Sequence, residues 1–428
     1  MSRSAPKRPA SARHIVASAL AAAARQFPDI TPQSLETESL SGADLGLAVA
    51  VHRCCLQRWL TLRHLLDRSL RQRFERLEPV IQGILLSAGA QIMFFDRIPD
   101  HAVVDESVNL VRRMGRPAAA GLVNAVLRKL GPLRGERQVG PWTASADRIP
   151  VDDGVIRLTR PCLPEPDNPV DHLSAATSHP RPLVRHWMER YGPDRTTQLC
   201  LYGIRTPPTI VWSGAEAMIW TKTQGELRAW LDAAGDRRVQ DPAAGLAVDA
   251  TRDLQPATIV DYCAGRGTKV RQLLAVHDRA QIVATDVKTA LRDELAQSFA
   301  GDARVTVADP RSLTPGADLL LLDVPCTNTG VLARRPEARY RWHRDTVSRL
   351  VDLQRGIMDE AVPLVPPGGF ILYCTCSLEP RENEQQARHL ARRHGAEIVK
   401  EMLTFPAAVG EDHHDGGYYA LLRRCGDG

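Results

Sequence analysis

The sequence predicts a multidomain protein, an all-α domain followed by an α/β domain on a Rossmann-like sheet. Three observations carry this expectation. Apolar residues recur at helical spacing over residues 12–130, with no strand signal among them. The runs Asp318-Leu319-Leu320-Leu321-Leu322 and Phe370-Ile371-Leu372-Tyr373 are apolar on both faces, as in the middle of a parallel sheet. A third strand over 258–262 leads through a glycine-containing loop into a helix, the arrangement that lets backbone approach a ligand at a helix N-terminus. The boundaries read from these patterns are 1–135 for the all-α domain, 136–178 for a linker, 179–244 for a small subdomain and 245–428 for the sheet domain.

In chain order, Leu56, Leu60, Leu62, Leu65, Leu66 and Leu70 mark one helix face. Residues 80–95 form an apolar helix in which Gly83 and Gly89 are points of close packing. Arg97-Ile98-Pro99-Asp100 breaks it, and Asp105 and Glu106 are placed in the first turn of the next helix, where acids suit the dipole. Gly115-Arg116-Pro117 separates that helix from 118–130. The stretch 131–180 is rich in Pro, Asp and Gly, and Val155-Ile156-Arg157-Leu158 is its one strand-like run, so it reads as a linker with a small hairpin. A helix follows from His179 to Gly192, then a strand over 209–212.

Composition narrows the function classes. The chain has 428 residues, enough for two or three domains, and 43% of them are hydrophobic, enough for ordinary cores. No apolar run reaches the length of a membrane span. The basic start MSRSAPKRPASAR lacks the apolar core of a signal peptide, so a cytoplasmic protein is expected. Nine cysteines without regular spacing suggest neither a disulfide framework nor a metal site. Residues 1–150 carry 21 Lys+Arg against 13 Asp+Glu, whereas 151–428 carry 34 against 37. A basic domain joined to a near-neutral one suggests that the first holds a polyanion while the second does chemistry.

That chemistry concentrates at strand ends, where open α/β sheets bind ligands. The strand before Asp323-Val324-Pro325-Cys326 must stop at Pro325, which cannot donate to a ladder. The second buried strand ends in Cys374-Thr375-Cys376-Ser377. Two thiols with an acid beside one of them suggest nucleophilic catalysis, although cysteines are also common as packing in buried strands. Asp286 follows the strand 282–285 at the distance from the glycines where a ribose diol is held, and Asp309 follows the strand 305–308.

Asp323-Val324-Pro325-Cys326-Thr327-Asn328-Thr329-Gly330 resembles the D-x-P-C-S-G-T-G motif of the RNA cytosine-5 methyltransferases. Arg334-Arg335-Pro336-Glu337 and Arg341-Trp342 resemble the R-x-P-[DE] and R-W that follow it, and Thr375-Cys376-Ser377-Leu378 with Glu382-Asn383-Glu384 resembles T-C-S-[IL] and E-N-E. The segments RIPDHAVVDESVNLVRR and AAAGLVNAVLRKL resemble the end of a NusB-like RNA-binding domain, which is fused to the bacterial 16S ribosomal RNA methyltransferase B (Sun/Fmu) branch of that family. The resemblance implies a NusB-like domain joined to a class I methyltransferase, with residues 179–244 as a small RNA-recognition subdomain. There Val211-Trp212-Ser213 stands in place of the family's Arg-Val-Asn.

The resemblance further implies that S-adenosylmethionine is held by Cys263, Ala264, Gly265, Arg266, Gly267, Thr268 and Lys269, with Asp286 on the ribose, Asp309 near the adenine and Asp323 at the methyl side. The loop departs from the family's C-A-A-P-G-G-K: Arg266 replaces Pro and adds charge, and Thr268 replaces Gly and needs φ below zero. Cys376 is the implied nucleophile at carbon 6 of cytosine, with Asp323 acting at N3 and Cys326 assisting release. Cys374, on the same strand face as Cys376, reads as packing. The implied partner is 16S ribosomal RNA and the implied state a monomer, with no metal and no membrane. Two other readings stand beside this one. A non-catalytic RNA-binding assembly factor is separated from it by cofactor binding, and a DNA cytosine-5 methyltransferase by a transfer assay with 16S RNA against duplex DNA.

Overall fold

The structure is a computed structural model that describes residues 11–32, 34–409 and 412–426. The basic residues 1–10 lie outside the described residues. The chain divides into two compact units.

The first unit runs to Thr206 and also takes in Leu332–Arg341. It opens with five helices, α1 (Ala12–Gln26), α2 (Gly42–Asp67), α3 (Pro79–Phe94), α4 (Asp100–Arg113) and α5 (Ala120–Leu130). Pro79 sits at the first position of α3, where its missing N–H costs nothing. Gly83 lets α3 lie against the backbone of α1, since a Cβ there would fall 2.4 Å from the Ala17 carbonyl oxygen. One sequence expectation is corrected. Helix α4 starts at Asp100, directly after Pro99, so Asp100 is the first-turn acid and Asp105 and Glu106 lie farther along the helix. Pro99 is the cap of the new helix, whereas the old one has already ended at Phe94.

The stretch 131–180 holds more structure than a linker with a hairpin. Strands β1 (Arg134–Val139), β2 (Arg148–Val151) and β3 (Gly154–Leu158) form an antiparallel sheet in the order β1-β3-β2, followed by α6 (Pro169–Thr177). Ile149, Ile156, Leu158, Cys162 and Leu163 are buried in the same core as the five helices. Strand β1, Arg-Gly-Glu-Arg-Gln-Val, is mostly exposed and polar, so its side chains carry no strand signal. Helix α7 (Arg181–Gly203) is broken at Gly192, whose φ of +77° ends the first segment before Pro193 starts the next. The segment Leu332–Arg341 is anchored here by buried Arg339. Its guanidinium donates to the carbonyls of Gly203 at 2.6 Å and Leu332 at 3.0 Å.

The second unit comprises Pro207–Val331 and the chain from Trp342 onward. A small antiparallel sheet comes first, β4 (Ile210–Ser213), β5 (Glu216–Ile219) and, after α8 (Gln224–Asp232), β6 (Arg238–Val239), in the order β5-β4-β6. The stretch read as one subdomain over 179–244 is therefore split, with α7 in the first unit and β4–β6 in the second.

Helix α9 (Pro242–Asp249) leads to the main sheet, whose first five strands and four helices follow in order. They are β7 (Thr258–Asp261), α10 (Thr268–Val276), β8 (Gln281–Ala284), α11 (Thr289–Ser298), β9 (Val305–Val307), β10 (Leu319–Asp323), α12 (Arg344–Ala361), β11 (Phe370–Thr375) and α13 (Glu384–His394). The chain ends in β12 (Ala396–Thr404), the small hairpin β13 (Ala407–Val409) and β14 (Asp412–His414), and β15 (Gly417–Arg424). The main sheet has the order β12-β15-β11-β10-β7-β8-β9, with β15 alone running against the others and pairing antiparallel with both its neighbours. The leucines of β10 alternate between two cores, Leu319 and Leu321 to one face and Leu320 and Leu322 to the other. That explains the unbroken apolar run. Strand order reverses between β7 and β10, so the crevice at their carboxyl ends is the switch point where such sheets bind ligands.

Candidate active site

Five strand ends of the second unit carry the candidate residues. After β7, the loop 262–267 turns twice with positive φ, +56° at Gly265 and +79° at Gly267. Gly267 is required on two counts, because a Cβ there would also strike the Phe299 ring at 2.5 Å. Thr268 is the first residue of α10 and is not among the positive-φ residues, so the departure there costs no strain. The Arg266 side chain is 81% exposed and pairs with Glu294 on α11. Its charge is answered at the surface.

Asp286 accepts from the amides of Gly265 at 3.3 Å and Lys288 at 2.9 Å. Arg292 ties the next two acids together, donating to the Asp286 carbonyl at 2.8 Å and to the Asp309 carboxylate at 2.7 Å. Asp309 is thus ion-paired in this structure. Asp323 is placed apart from these two. It pairs with Lys269 at 2.6 Å, so Lys269 leaves the glycine loop to face the carboxyl end of β10. Burial opposes the charge on Lys269, but Asp323 and its neighbours outweigh it and raise the ammonium's pKa.

Asp261 was read only as a strand residue. It is buried at the end of β7, and neither carboxylate oxygen has a hydrogen-bond partner of normal geometry. Burial pushes its carboxyl up to about 8, with Asp323 adding to the effect and Lys269 opposing it. A buried acid with no side-chain hydrogen-bond partner, beside a glycine loop and near a second acid that can hold hydroxyls, suits a ligand with a diol and a cationic end.

The two motif cysteines meet. Cys326 and Cys376 have their Sγ atoms 3.3 Å apart, although 50 residues separate them. The bond to Cys376, together with burial, raises the Cys326 thiol well above its ordinary range. Cys374 is buried in one of the sheet cores, and its Sγ lies 3.5 Å from Asp323. Beneath the two cysteine loops sits Glu382, fully buried. Its carboxylate accepts from the Thr327 amide at 3.0 Å, the Thr327 hydroxyl at 2.5 Å and the Ser377 hydroxyl at 2.6 Å. Thr327 follows Cys326 and Ser377 follows Cys376, so one side chain holds both loops. Asn383 continues the brace, accepting from the Thr375 hydroxyl at 2.6 Å and donating to the Ser377 carbonyl at 2.9 Å.

Gly330 closes the arrangement. Its amide donates to the Cys376 carbonyl at 3.0 Å, and a Cβ there would lie 2.4 Å from the Gly416 carbonyl oxygen. A cleft of about 450 Å³ opens above these groups, lined by Lys269, Asp323, Cys376, Asp415 and Tyr418 among others. Asp415 comes from the loop before β15, a segment that offered no sequence signal; its amide donates to Asp241 at 2.9 Å.

Known proteins carry the same two parts. Residues 251–421 match the family described as 16S rRNA methyltransferase RsmB/F, and residues 10–131 match the NusB family. The chain is 29% identical over 413 residues to the ribosomal RNA small subunit methyltransferase B of Pseudomonas putida, covering 85% of this chain and 87% of that protein. To the protein of the same name from Vibrio cholerae it is 30% identical over 359 residues, covering 79% and 80%. Its fold is similar to the crystal structure of PH0851, with a TM-score of 0.70 at 19% identity over 98% of this chain and 99% of that one. With a glycine loop at the switch point of its sheet, a helical region matched by the NusB family, and relatives alike over most of their length, the chain belongs to the 16S rRNA methyltransferase RsmB/F family of S-adenosylmethionine-dependent RNA methyltransferases.

Proposed function

We propose that this protein methylates carbon 5 of a cytosine in 16S ribosomal RNA through a covalent adduct on Cys376. The observation that carries the reading is the meeting of Cys326 and Cys376 at the mouth of a cleft that also holds the Asp323–Lys269 pair. Carbon 5 of cytosine is a poor nucleophile. Addition of the Cys376 thiolate to carbon 6 makes it enamine-like. N3 is protonated as the thiolate adds, and the Asp323 carboxylate, with Lys269 beside it, accepts from the N3–H and so stabilises the charge that develops there. Once carbon 5 carries the methyl group, a base takes its proton, and Cys326 assists the elimination that restores the double bond and expels Cys376.

The residues fit the cofactor. Asp286 would hold the ribose hydroxyls, the backbone of 263–269 would cradle the ligand, and buried Asp261 would face its cationic part. Bound S-adenosylmethionine supplies the methyl group that carbon 5 receives. The target base must leave its stack to reach the cleft. The nine cysteines are unpaired, which suits a reducing cytoplasm, and no helix among the described residues is long and apolar enough to cross a membrane. The protein acts as a monomer in this reading. Bisulfite mapping of 16S RNA from cells with and without the protein tests it, and an unchanged map would refute it.

Asp286→Ala is expected to weaken S-adenosylmethionine binding by about 1.5–3 kcal/mol, the worth of hydrogen bonds to a charged acceptor. The upper end is favoured, because Asp286 also fixes the Gly265 amide. Calorimetry giving wild-type affinity would remove Asp286 from the site.

The helical region is proposed to hold RNA phosphates. Deleting it would open a core that runs on through Ile156 and Leu163, so the test is charge removal. Arg112, Arg128 and Lys129 are exposed on α4 and α5. Changing all three to Gln should lower the slope of log affinity against log salt by roughly two, at about 0.7 per phosphate contact. An identical slope would assign these helices another partner.

A further inference from the structure

The loop after Cys326 departs from the family motif at Asn328, where D-x-P-C-S-G-T-G has glycine. Its φ is +60°, a conformation glycine adopts freely and asparagine tolerates best among side chains with a Cβ. The side chain touches both cysteines. Its Nδ2 donates to the Cys326 carbonyl at 2.7 Å, which fixes the orientation of the amide. Oδ1 is thereby turned to Cys376, 3.1 Å from its Sγ. A carbonyl oxygen only accepts, so the proton between them belongs to the thiol.

The neighbouring contact follows from this. With its own proton committed to Asn328, Cys376 can only accept from Cys326, whose Sγ is 3.3 Å away. The three groups form a directed chain from the Cys326 thiol to the Cys376 thiol to the Asn328 oxygen. The raised Cys326 thiol, held protonated by its bond to Cys376 and by burial, agrees with that direction. Ionising Cys376 keeps the bond from Cys326. It loses the bond to Asn328 and brings the new charge against an oxygen lone pair.

We propose that Asn328 holds the proton of Cys376 in the RNA-free enzyme and so restrains formation of the thiolate there, an inference that rests on reading Cys376 as the nucleophile. The other titratable groups around the cleft are Lys269, Asp323, Cys374, Asp415, Tyr418 and Tyr419 in its lining and Glu382 below. All are unchanged by a substitution at 328, so a difference between variants reports on Asn328.

The test is alkylation of Cys376 by iodoacetamide in the full-length protein without RNA, followed across pH by mass spectrometry of its peptide. The thiolate forms an S–C bond and iodide leaves, so the rate follows the thiolate fraction. Exposed Cys425 is the internal reference, and buried Cys374, two residues before Cys376, is resolved by fragmentation. Asn328→Gly suits the backbone and removes the acceptor. It should label about three to ten times faster at pH 7, the effect of losing one hydrogen bond to the neutral form. Asn328→Asp places a negative charge beside the thiol and should label more slowly than wild type; if it does not fold, the glycine variant decides. Equal or slower labelling in Asn328→Gly would overturn the proposal. That failure is distinct from failure of the underlying reading, which would appear as absence of an RNA adduct on Cys376.

Discussion

Cys326→Ala is expected to accumulate enzyme covalently joined to RNA, and Cys376→Ala to form none and to lose methylation altogether. Cys376 lies just past the end of β11, at the cleft, and is partly exposed, whereas Cys326 is buried behind it with its thiol held protonated. The buried thiol is a poor nucleophile and a suitable aid to departure. Removing it leaves addition at carbon 6 intact and stalls the product on Cys376, with carbon 5 already methylated. The adduct would survive denaturing electrophoresis and shift the band by the mass of the RNA, and the double variant should show no shift. An adduct in Cys376→Ala with none in Cys326→Ala would reverse the two roles. Intact methylation in both would return both cysteines to packing.

Glu382→Gln is expected to lower kcat by about a hundredfold while KM for RNA stays within about threefold of wild type, because misplacing reacting groups by about an ångström costs that much. The Gln side chain keeps the shape, but one of the two acceptor oxygens becomes an N–H2 that accepts nothing, so the Thr327 amide at Oε1 or the Ser377 hydroxyl at Oε2 loses its acceptor. The two cysteine loops then lose their common anchor. Asn383 and the Gly330 amide retain part of the brace, so the fold itself should persist.

A pH signature accompanies this loss. Burial raises the Glu382 carboxyl from an ordinary 4.5 to about 7, against the pull of its hydroxyl and amide donors. Between those values the folded state binds the extra proton, so this group's contribution to stability falls as pH rises through that window. The loss is about 3 kcal/mol at most. Denaturant midpoints measured from pH 4 to 8 should fall more steeply in wild type than in Glu382→Gln. Matching slopes, or a wild-type kcat in the variant, would reduce Glu382 to an ordinary buried acid.

The strands and their chemistry were legible because they depend on local pattern. A run of leucines at β10 has one stable place, the middle of a parallel sheet, and Pro325 ends it wherever it lies. Glycines between a strand and a helix mark a ligand loop for similar reasons. Elements without an apolar pattern were not legible. Strand β1 is polar and pairs at an edge, and Pro99 could be read as the end of one helix without showing that the next begins at Asp100. The closing strands β12 and β15 pair with each other, and β15 pairs with β11 across the fold; such pairing leaves only a weak local trace.

Sequence by itself thus determined the all-α and α/β halves, the two cysteine motifs and the acids at the strand ends, each written in adjacent residues. The tertiary structure alone decided which of them meet. It turns Lys269 from the glycine loop to Asp323, ties Asp309 to Arg292, leaves Asp261 buried without a side-chain partner and sets Glu382 and Asn328 against the cysteine pair. These contacts join residues brought together by sheet order and loop closure. Their burial then sets charge and protonation, and neither can be summed from neighbours along the chain.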